Sequence, residues 1–591
     1  MVSAQIDSVL LDSTTISVRG GFRAVDVQIK HDVRSKSIGD VLSSEALVFV
    51  KSNSGSALST LSIRGGTPEQ STVFWNGLSL QNIQNGNVDL TLLPAMLFDD
   101  ISLNTNQSTQ TGSGNIAGSI NIQNNRLDTL PSMILSAGLG SFGLLHGSIK
   151  ATIPFKRSTI SFTAYNKVAK NDYNYKPFQN SSVEKQLVHA NFQQGGLLVQ
   201  HRIRFKKTNP LNWRLWLQSS NRAIPATILE AASLKYQNDK SIRFQSDWSH
   251  IKGKNEAKFV VGSFYELLDY IDSIAQIYNQ YTFVNNSVLT HFVRHLSTKV
   301  KVGLDIEARY FIADGDTFYS NNRLEMSEGV HLKVKIKKTS IHIGSRLVQY
   351  TNNTDLPLLN SIQILHKLKS KWQLIALVSN NYRMPTFNSL YWNPGGNPNL
   401  TAERSTNSEL IAKYKNKSLT VTGNIYSNTI NDQIRWLPGS DGIFTAQQVA
   451  NQVQWNRGIE LGGRFEYKSI VIKGNLGGLR STVVDDSMAR QQTFVPQVQR
   501  NFSIRYNRPK WTVSYTNQFV SKRFTDVENT NYLPSVFLHQ ATFTWRWELM
   551  LVSGTIQNIG NLYYTILPFR PNPPRNFELN VTYEINQKNK K

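Results

Sequence analysis

The sequence predicts an all-β membrane barrel preceded by a small mixed α/β domain, and three observations carry that prediction. From residue 131 to 585 the chain runs in short segments of alternating polar and apolar residues, separated by Gly, Asn, Asp, Ser and Pro clusters. Mean hydropathy is only −0.33, and no stretch approaches the ~18 apolar residues of a membrane helix. A barrel strand needs lipid-facing residues only at every second position, so low hydropathy is compatible with spanning. Finally, the chain closes on a clean alternation, Phe577–Ile585. Phe577, Leu579, Val581, Tyr583 and Ile585 fall on one face, Glu578, Asn580, Thr582 and Glu584 on the other. Such an apolar edge invites aggregation unless it pairs with the first strand of a closed sheet.

The N-terminal part departs from this pattern. Residues 37–50 begin like a capped helix, with Ser37 as N-cap and Ile38, Val41 and Leu42 at helical spacing, and turn strand-like at Leu47–Val50. Leu61–Arg64, Thr72–Trp75 and Ile101–Leu103 read as short strands joined by Gly-, Asn- and Ser-rich connections. Residues 36–130 therefore form a compact domain, after a segment 1–35 and ahead of a barrel over 131–585 and a tail over 586–591. Ser3-Ala4-Gln5 is similar to the small-residue end of a secretory signal, although MVSAQ lacks its charged start and apolar stretch.

Within the barrel, Ile160, Phe162 and Ala164 are expected to face lipid, opposite Thr159, Ser161, Thr163 and Tyr165. Phe543, Trp545 and Trp547 alternate with Thr542, Thr544 and Arg546, as in an interfacial aromatic girdle. A soluble protein with so many strands would need a propeller, a solenoid or several domains, and no fixed-length repeat is present.

Composition narrows the function. The formal charge of +24 would suit nucleic acid, but the runs Lys333–Lys338 and Lys367–Lys371 alternate with apolar residues, as solvated or headgroup-level strand ends do. No nucleic-acid partner is expected. There are no cysteines, hence no disulfides. GxSxG, HExxH and phosphate-loop motifs are missing, so the chain does not read as an enzyme and no cofactor is expected. His291 and His295 have helical spacing in a strand-like segment, and Asp314 and Asp316 are too few for calcium, so no metal site is assigned.

Several motifs resemble the TonB-dependent outer-membrane receptors. In the first domain these are Ile63-Arg64-Gly65, the Asn76-Gly77 turn, Asp89-Leu90, Pro94, Ile101 with Leu103, and GSGNIAGSINI over 112–122. In the barrel, Arg383, Pro385, Asn397, Leu400, Glu403 and Glu409 match the Arg-x-Pro, Gly-Asn-Pro-x-Leu and Glu-rich segment. NRGIEL over 456–461, NIGNLY over 558–563 and Arg575 continue the likeness, which spans about residues 36–585 and is most similar to the vitamin B12 transporter branch of the Bacteroidetes type.

The resemblance implies about 22 antiparallel strands around a plug that seals the lumen. It also implies a plug–barrel lock of Arg64 with Glu409 and Glu460. The family's second plug arginine is Thr105 here, followed by Asn106-Gln107 in place of Gly-Pro. A TonB-type periplasmic partner would add a strand to an extended segment ahead of the plug. Asp12, Ser13, Thr14, Thr15, Ile16, Ser17 and Val18 alternate and are β-prone, and Ile6–Leu11 competes. Ligand contacts are expected from plug apices and outer loops, at Thr67, Gln70, Ile83, Asn85, Tyr173, Tyr175, Tyr391 and Trp392. The implied function is energy-coupled transport of cobalamin or a metal chelate across the Gram-negative outer membrane, with bilayer lipid as surroundings. The chain would act as a monomer, with an accessory lipoprotein as a further partner. A passive gated porin or an uncoupled ligand-binding barrel is the alternative.

Overall fold

The computed structural model describes residues 26–28, 35–105, 114–124, 127, 130–177, 182–205, 209–351, 356–439, 441–449, 452–485 and 488–586. It contains a closed antiparallel barrel of 22 spanning strands, from Ser132–Gly140 to Asn576–Asn586. A short strand, Met488–Gln491, only extends the hairpin begun by Ile470–Asp485. The last strand pairs with the first from Glu578↔Gly140 to Asn586↔Ser132, which removes the apolar edge.

The faces follow the alternation. Phe577, Leu579 and Ile585 are exposed on the outer surface, while Glu578, Thr582 and Glu584 are buried toward the lumen. Phe543, Trp545 and Trp547 likewise point outward, with Thr542 buried behind them, and Phe162 points outward between buried Ser161 and Thr163. One end of the barrel carries tight turns, such as 253–254, 337–338 and 548–549. The other carries connections such as 384–402, 432–452 and 558–575. Short turns lie on the periplasmic side of such barrels and long loops outside, which orients the molecule.

Inside the lumen sits the α/β domain. Helix α1, Ile38–Glu45, starts where expected because Ser37 and Asp40 form a capping box. The main sheet has the order Asp26–Gln28, Asp100–Asn104, Gly118–Gln123, Ser71–Trp75, Leu78–Ser79, and a separate hairpin joins Phe49–Ser52 to Ser59–Ser62. Asp26–Gln28 thus belongs to the sheet although it precedes the boundary expected at residue 36. The strand expected over Leu61–Arg64 is Ser59–Ser62 and stops before Arg64, because Gly66 donates back to the Ile63 carbonyl and closes a turn.

The plug is joined unevenly to its wall. Trp75 packs edge-on against Trp216 at 5.5 Å and at a tilt against Phe264 at 5.9 Å, and Phe98 meets Trp216 edge-on at 5.8 Å. Leu78 lies over Gly262, where an added Cβ would stand 2.3 Å from Leu78 Cδ1. This apolar weld involves the strands Pro210–Ile224 and Asn255–Asp272. Elsewhere wall amides donate to plug carbonyls: Gln218 to Leu92 (2.7 Å), Asn381 to Asn115 (2.7 Å), Gln454 to Gly65 (2.9 Å) and Asn475 to Glu45 (3.1 Å). These neutral bonds satisfy irregular backbone at a modest net gain each, and the buried wall residue Arg222 adds an ion pair to Asp89 of the plug. Trp75→Ala should lower plug stability by about 3–5 kcal/mol. Hydrogen exchange checks this: plug amides should exchange faster while barrel amides stay protected.

Candidate functional site

Arg64 follows the strand Ser59–Ser62 with φ +48°, and Gly65 follows it with φ +80°. A Cβ on Gly65 would stand 2.8 Å from both Asn456 Oδ1 and Ser481 Oγ, so glycine lets this turn lie against the barrel wall. The guanidinium is thereby delivered between two strands of the lumen. Its Nε and Nη2 donate to the two Glu460 oxygens at 3.0 and 2.6 Å, and its Nη1 donates to Glu409. The same Nη1 reaches the Thr105 carbonyl at 3.4 Å. All three charged residues are buried, at 6%, 2% and 4% exposure. Bidentate, charge-assisted pairing of this kind is the strong form of hydrogen bond.

The three expected residues therefore meet in space, together with one that sequence reasoning missed. The Tyr426 ring lies under the guanidinium with its centroid 4.0 Å from Cζ. Tyr426 is opposite Glu409 in the strand register and is also opposite Gly458, where a Cβ would stand 2.4 Å from the Tyr426 hydroxyl. Gly458, two residues before Glu460 on the same face, was the available signal. Thr105 offers no guanidinium, so one cation faces two carboxylates, and Asn424 supports Glu460 with a 3.2 Å bond.

The outer mouth is floored by three turns of the plug. Ser52, beside the turn 53–58, bonds Asn572 of an outer loop at 3.4 Å. In the turn 67–70, Gln70 is fully buried, accepts from the Thr67 N–H at 3.0 Å and donates to Glu403 at 3.0 Å, while Thr67 itself is half-buried. In the turn 81–88, the carbonyls of Ile83 and Gln84 accept from the N–H groups of Phe387 and Asn388 at 3.1 and 2.8 Å. Asn85 is half-buried there, its side chain accepting from the Asn87 N–H at 3.1 Å.

Phe387 and Asn388 open the short helix α2, Phe387–Tyr391, whose far end carries exposed Tyr391 and half-buried Trp392. Trp392, Pro394 and Asn388 line a concavity of about 420 Å³ together with Trp436, Ile443 and Phe444. The latter three come from the hairpin Ile434–Pro438/Phe444–Gln448 and were not anticipated. Their signal was two apolar runs around a Gly-Ser-Asp-Gly turn at 439–442. Ile83, Tyr391 and Trp392 are thus gathered around α2.

Tyr173 and Tyr175 lie elsewhere. They are buried in a cluster with Leu187 and Ala190, and the Tyr173 hydroxyl donates to the Pro571 carbonyl at 2.8 Å. There they bind two outer loops to each other. The segment 12–18 lies outside the described residues. His291 pairs with Asp305 at 2.6 Å and His295 with Glu256 at 2.5 Å, and among the described residues no group of three or more His, Asp or Glu forms a metal-binding cluster.

Residues 141–559 match the family model described as TonB dependent receptor-like, beta-barrel, and residues 16–119 match the TonB-dependent Receptor Plug Domain. The vitamin B12 transporter BtuB of Vibrio vulnificus is 36% identical over 95 residues, 16% of this chain and 15% of that protein. BtuB of Photobacterium profundum is 23% identical over 240 residues, 40% of this chain and 38% of that protein. The matched segments thus span well under half of those relatives. Among solved structures, the FrpB iron transporter of Neisseria meningitidis (F3-3 variant) superposes with a TM-score of 0.81 at 14% identity, covering 95% of this chain and 98% of the other.

Proposed function

We infer the function from one premise: this chain belongs to the TonB-dependent receptor family, since the family's barrel model matches 141–559 and its plug model 16–119. It is therefore an outer-membrane receptor and transporter of a Gram-negative bacterium, of the iron, siderophore or B12 type. Within that class, we propose energy-coupled uptake of a cobalamin-like corrinoid or a ferric chelate. The segmental BtuB likeness supports the B12 branch, and we propose its Bacteroidetes type from the motif resemblance alone. We further propose a monomer in which segment 1–35 carries the partner-binding strand at 12–18, residues 36–130 act as plug, and Arg64, Glu409 and Glu460 act as its lock. An accessory lipoprotein would cover the outer loops.

The observation carrying this reading is that the plug fills the lumen while its turns 53–58, 67–70 and 81–88 meet the outer loops. A ligand seated by Trp392 and Trp436 would press on α2, which is hydrogen-bonded to Ile83 and Gln84 of the plug. Thr67, Asn85 and Tyr391 would add polar contacts, with Gln70 holding the Thr67 turn. Tyr173 and Tyr175 would serve the ligand by holding the loops over it. The test is a binding screen of detergent-solubilised protein against cyanocobalamin and several ferric chelates, followed by uptake with and without a proton gradient. One tight ligand and gradient-dependent uptake are expected. Ion conductance by the resting protein with no energy requirement would favour the gated porin instead.

Aromatic anchors dominate such sites, so Trp436→Ala should weaken the identified ligand by roughly 2 kcal/mol, about thirtyfold in affinity. A titration of the same solubilised protein reads this directly, and unchanged affinity would remove Trp436 from the site.

A further inference from the structure

We propose that the periplasmic mouth of the lumen is an electropositive exit collar that favours a net-negative cargo. This deepens the transport reading and rests on it. Across four neighbouring short turns, the stretches 296–304, 332–342, 365–375 and 411–422 hold twelve lysines and no Asp or Glu. In the sequence they are scattered over more than a hundred residues, and ring closure collects them on one arc of the short-turn rim.

Their direction decides what they can meet. His331 is buried toward the lumen while Val330 is exposed outside, so Lys333 and Lys335 share the lumen face with His331. By the same parity Lys301 lies with buried Asp305, Lys367 with Gln363, and Lys413 and Lys415 with Glu409. Lys301 stands directly opposite Lys333 in the register, and Lys367 and Lys413 both flank Gln373. Like charges in facing positions oppose sheet pairing, so local stability does not account for this arrangement.

The outer face of these strands is different. Trp372 and Tyr414 are cross-strand neighbours there, with ring centroids 5.0 Å apart, beside exposed Ile336. Aromatic rings mark the lipid interface on one face while the lysines of the opposite face meet water inside the mouth. Lipid headgroups therefore lie on the wrong side for these lysines. A rim arc that carries one sign of charge raises the local concentration of the opposite ion at that mouth, as basic rings do in anion pores. A ferric chelate with ionised catecholate or carboxylate ligands would be drawn through the collar once the plug moves, and a neutral corrinoid would gain nothing.

The test uses full-length protein and a triple variant, Lys335→Gln/Lys367→Gln/Lys415→Gln, whose three sites are exposed. Binding of the fluorescent trisulfonate pyranine to solubilised protein, read by anisotropy, should weaken about tenfold in the variant and fall with added salt. Equal pyranine binding by both proteins, or none by either, overturns the collar. In cells, the variant should take up ferric tris-catecholate several-fold more slowly, with surface binding unchanged, and any uptake of cyanocobalamin that the unmodified protein supports should be unaffected. If both cargoes slow equally, the lysines serve an acidic docking partner and the proposal fails. It also fails if the unmodified protein carries only cyanocobalamin. Uptake of neither cargo defeats the transport reading itself, and the pyranine titration then decides the collar.

Discussion

Replacing Arg64 with methionine should loosen the plug by about 3–5 kcal/mol, because Glu409 and Glu460 would be left buried without their cation. The size follows from geometry: Glu409 and Glu460 are nearly inaccessible, and Arg64 supplies three charge-assisted bonds to them. The cluster would also be more exposed to failure than a symmetrical one, since Thr105 gives only a carbonyl where a second guanidinium would balance the charge. Plug amides should exchange faster in the variant, and cells carrying it should admit large antibiotics that the unmodified barrel excludes. Triple replacement, Arg64→Met/Glu409→Gln/Glu460→Gln, removes the unpaired charge and should recover much of the protection. An unchanged exchange profile in Arg64→Met would show that the other wall contacts, the apolar weld at Trp75 and Leu78 and the Arg222–Asp89 ion pair among them, hold the plug without Arg64.

Deleting residues 12–18 should abolish uptake and leave ligand binding at the level of the intact chain. The outer membrane faces no ATP, so the work of moving a seated plug has to arrive through a periplasmic partner. An alternating, β-prone segment ahead of the plug can add a strand to that partner, and main-chain bonds then bear the load. Local opening of the plug would supply the two-state element on which such a pull acts. Gradient-driven uptake and equilibrium binding are measured on the same strains. Persistent uptake rejects 12–18 as the coupling strand, and loss of uptake on deleting 6–11 instead transfers the role to the competing segment.

Much of the architecture was legible because its determinants are local. Period-two alternation in Phe577–Ile585 decides which residues meet lipid, whatever the rest of the chain does, and Ser37 with Asp40 starts α1 within four residues. The Arg64 cluster was reached only through family resemblance, since its members are 345 and 396 residues apart in the chain. Tyr426 had no pattern of its own, because a lumen-facing tyrosine beneath a guanidinium looks like any other strand tyrosine. Loop aromatics were the hardest to read: Tyr173 and Trp392 stand in similar polar surroundings in sequence, yet one is buried against Pro571 and the other lines an outer concavity.

By itself, then, the sequence determined the class of fold, the lipid-facing and lumen-facing sets, the absence of disulfides and the residues of the plug motif. Only the tertiary structure decided which charges meet, which aromatics are buried and where the net positive charge gathers. The reason is closure: strand periodicity is a nearest-neighbour property, whereas curling 22 strands into a ring brings distant residues to one height and one face. A lysine every second position reads as a solvated strand end in one dimension. Around a closed mouth it becomes a collar.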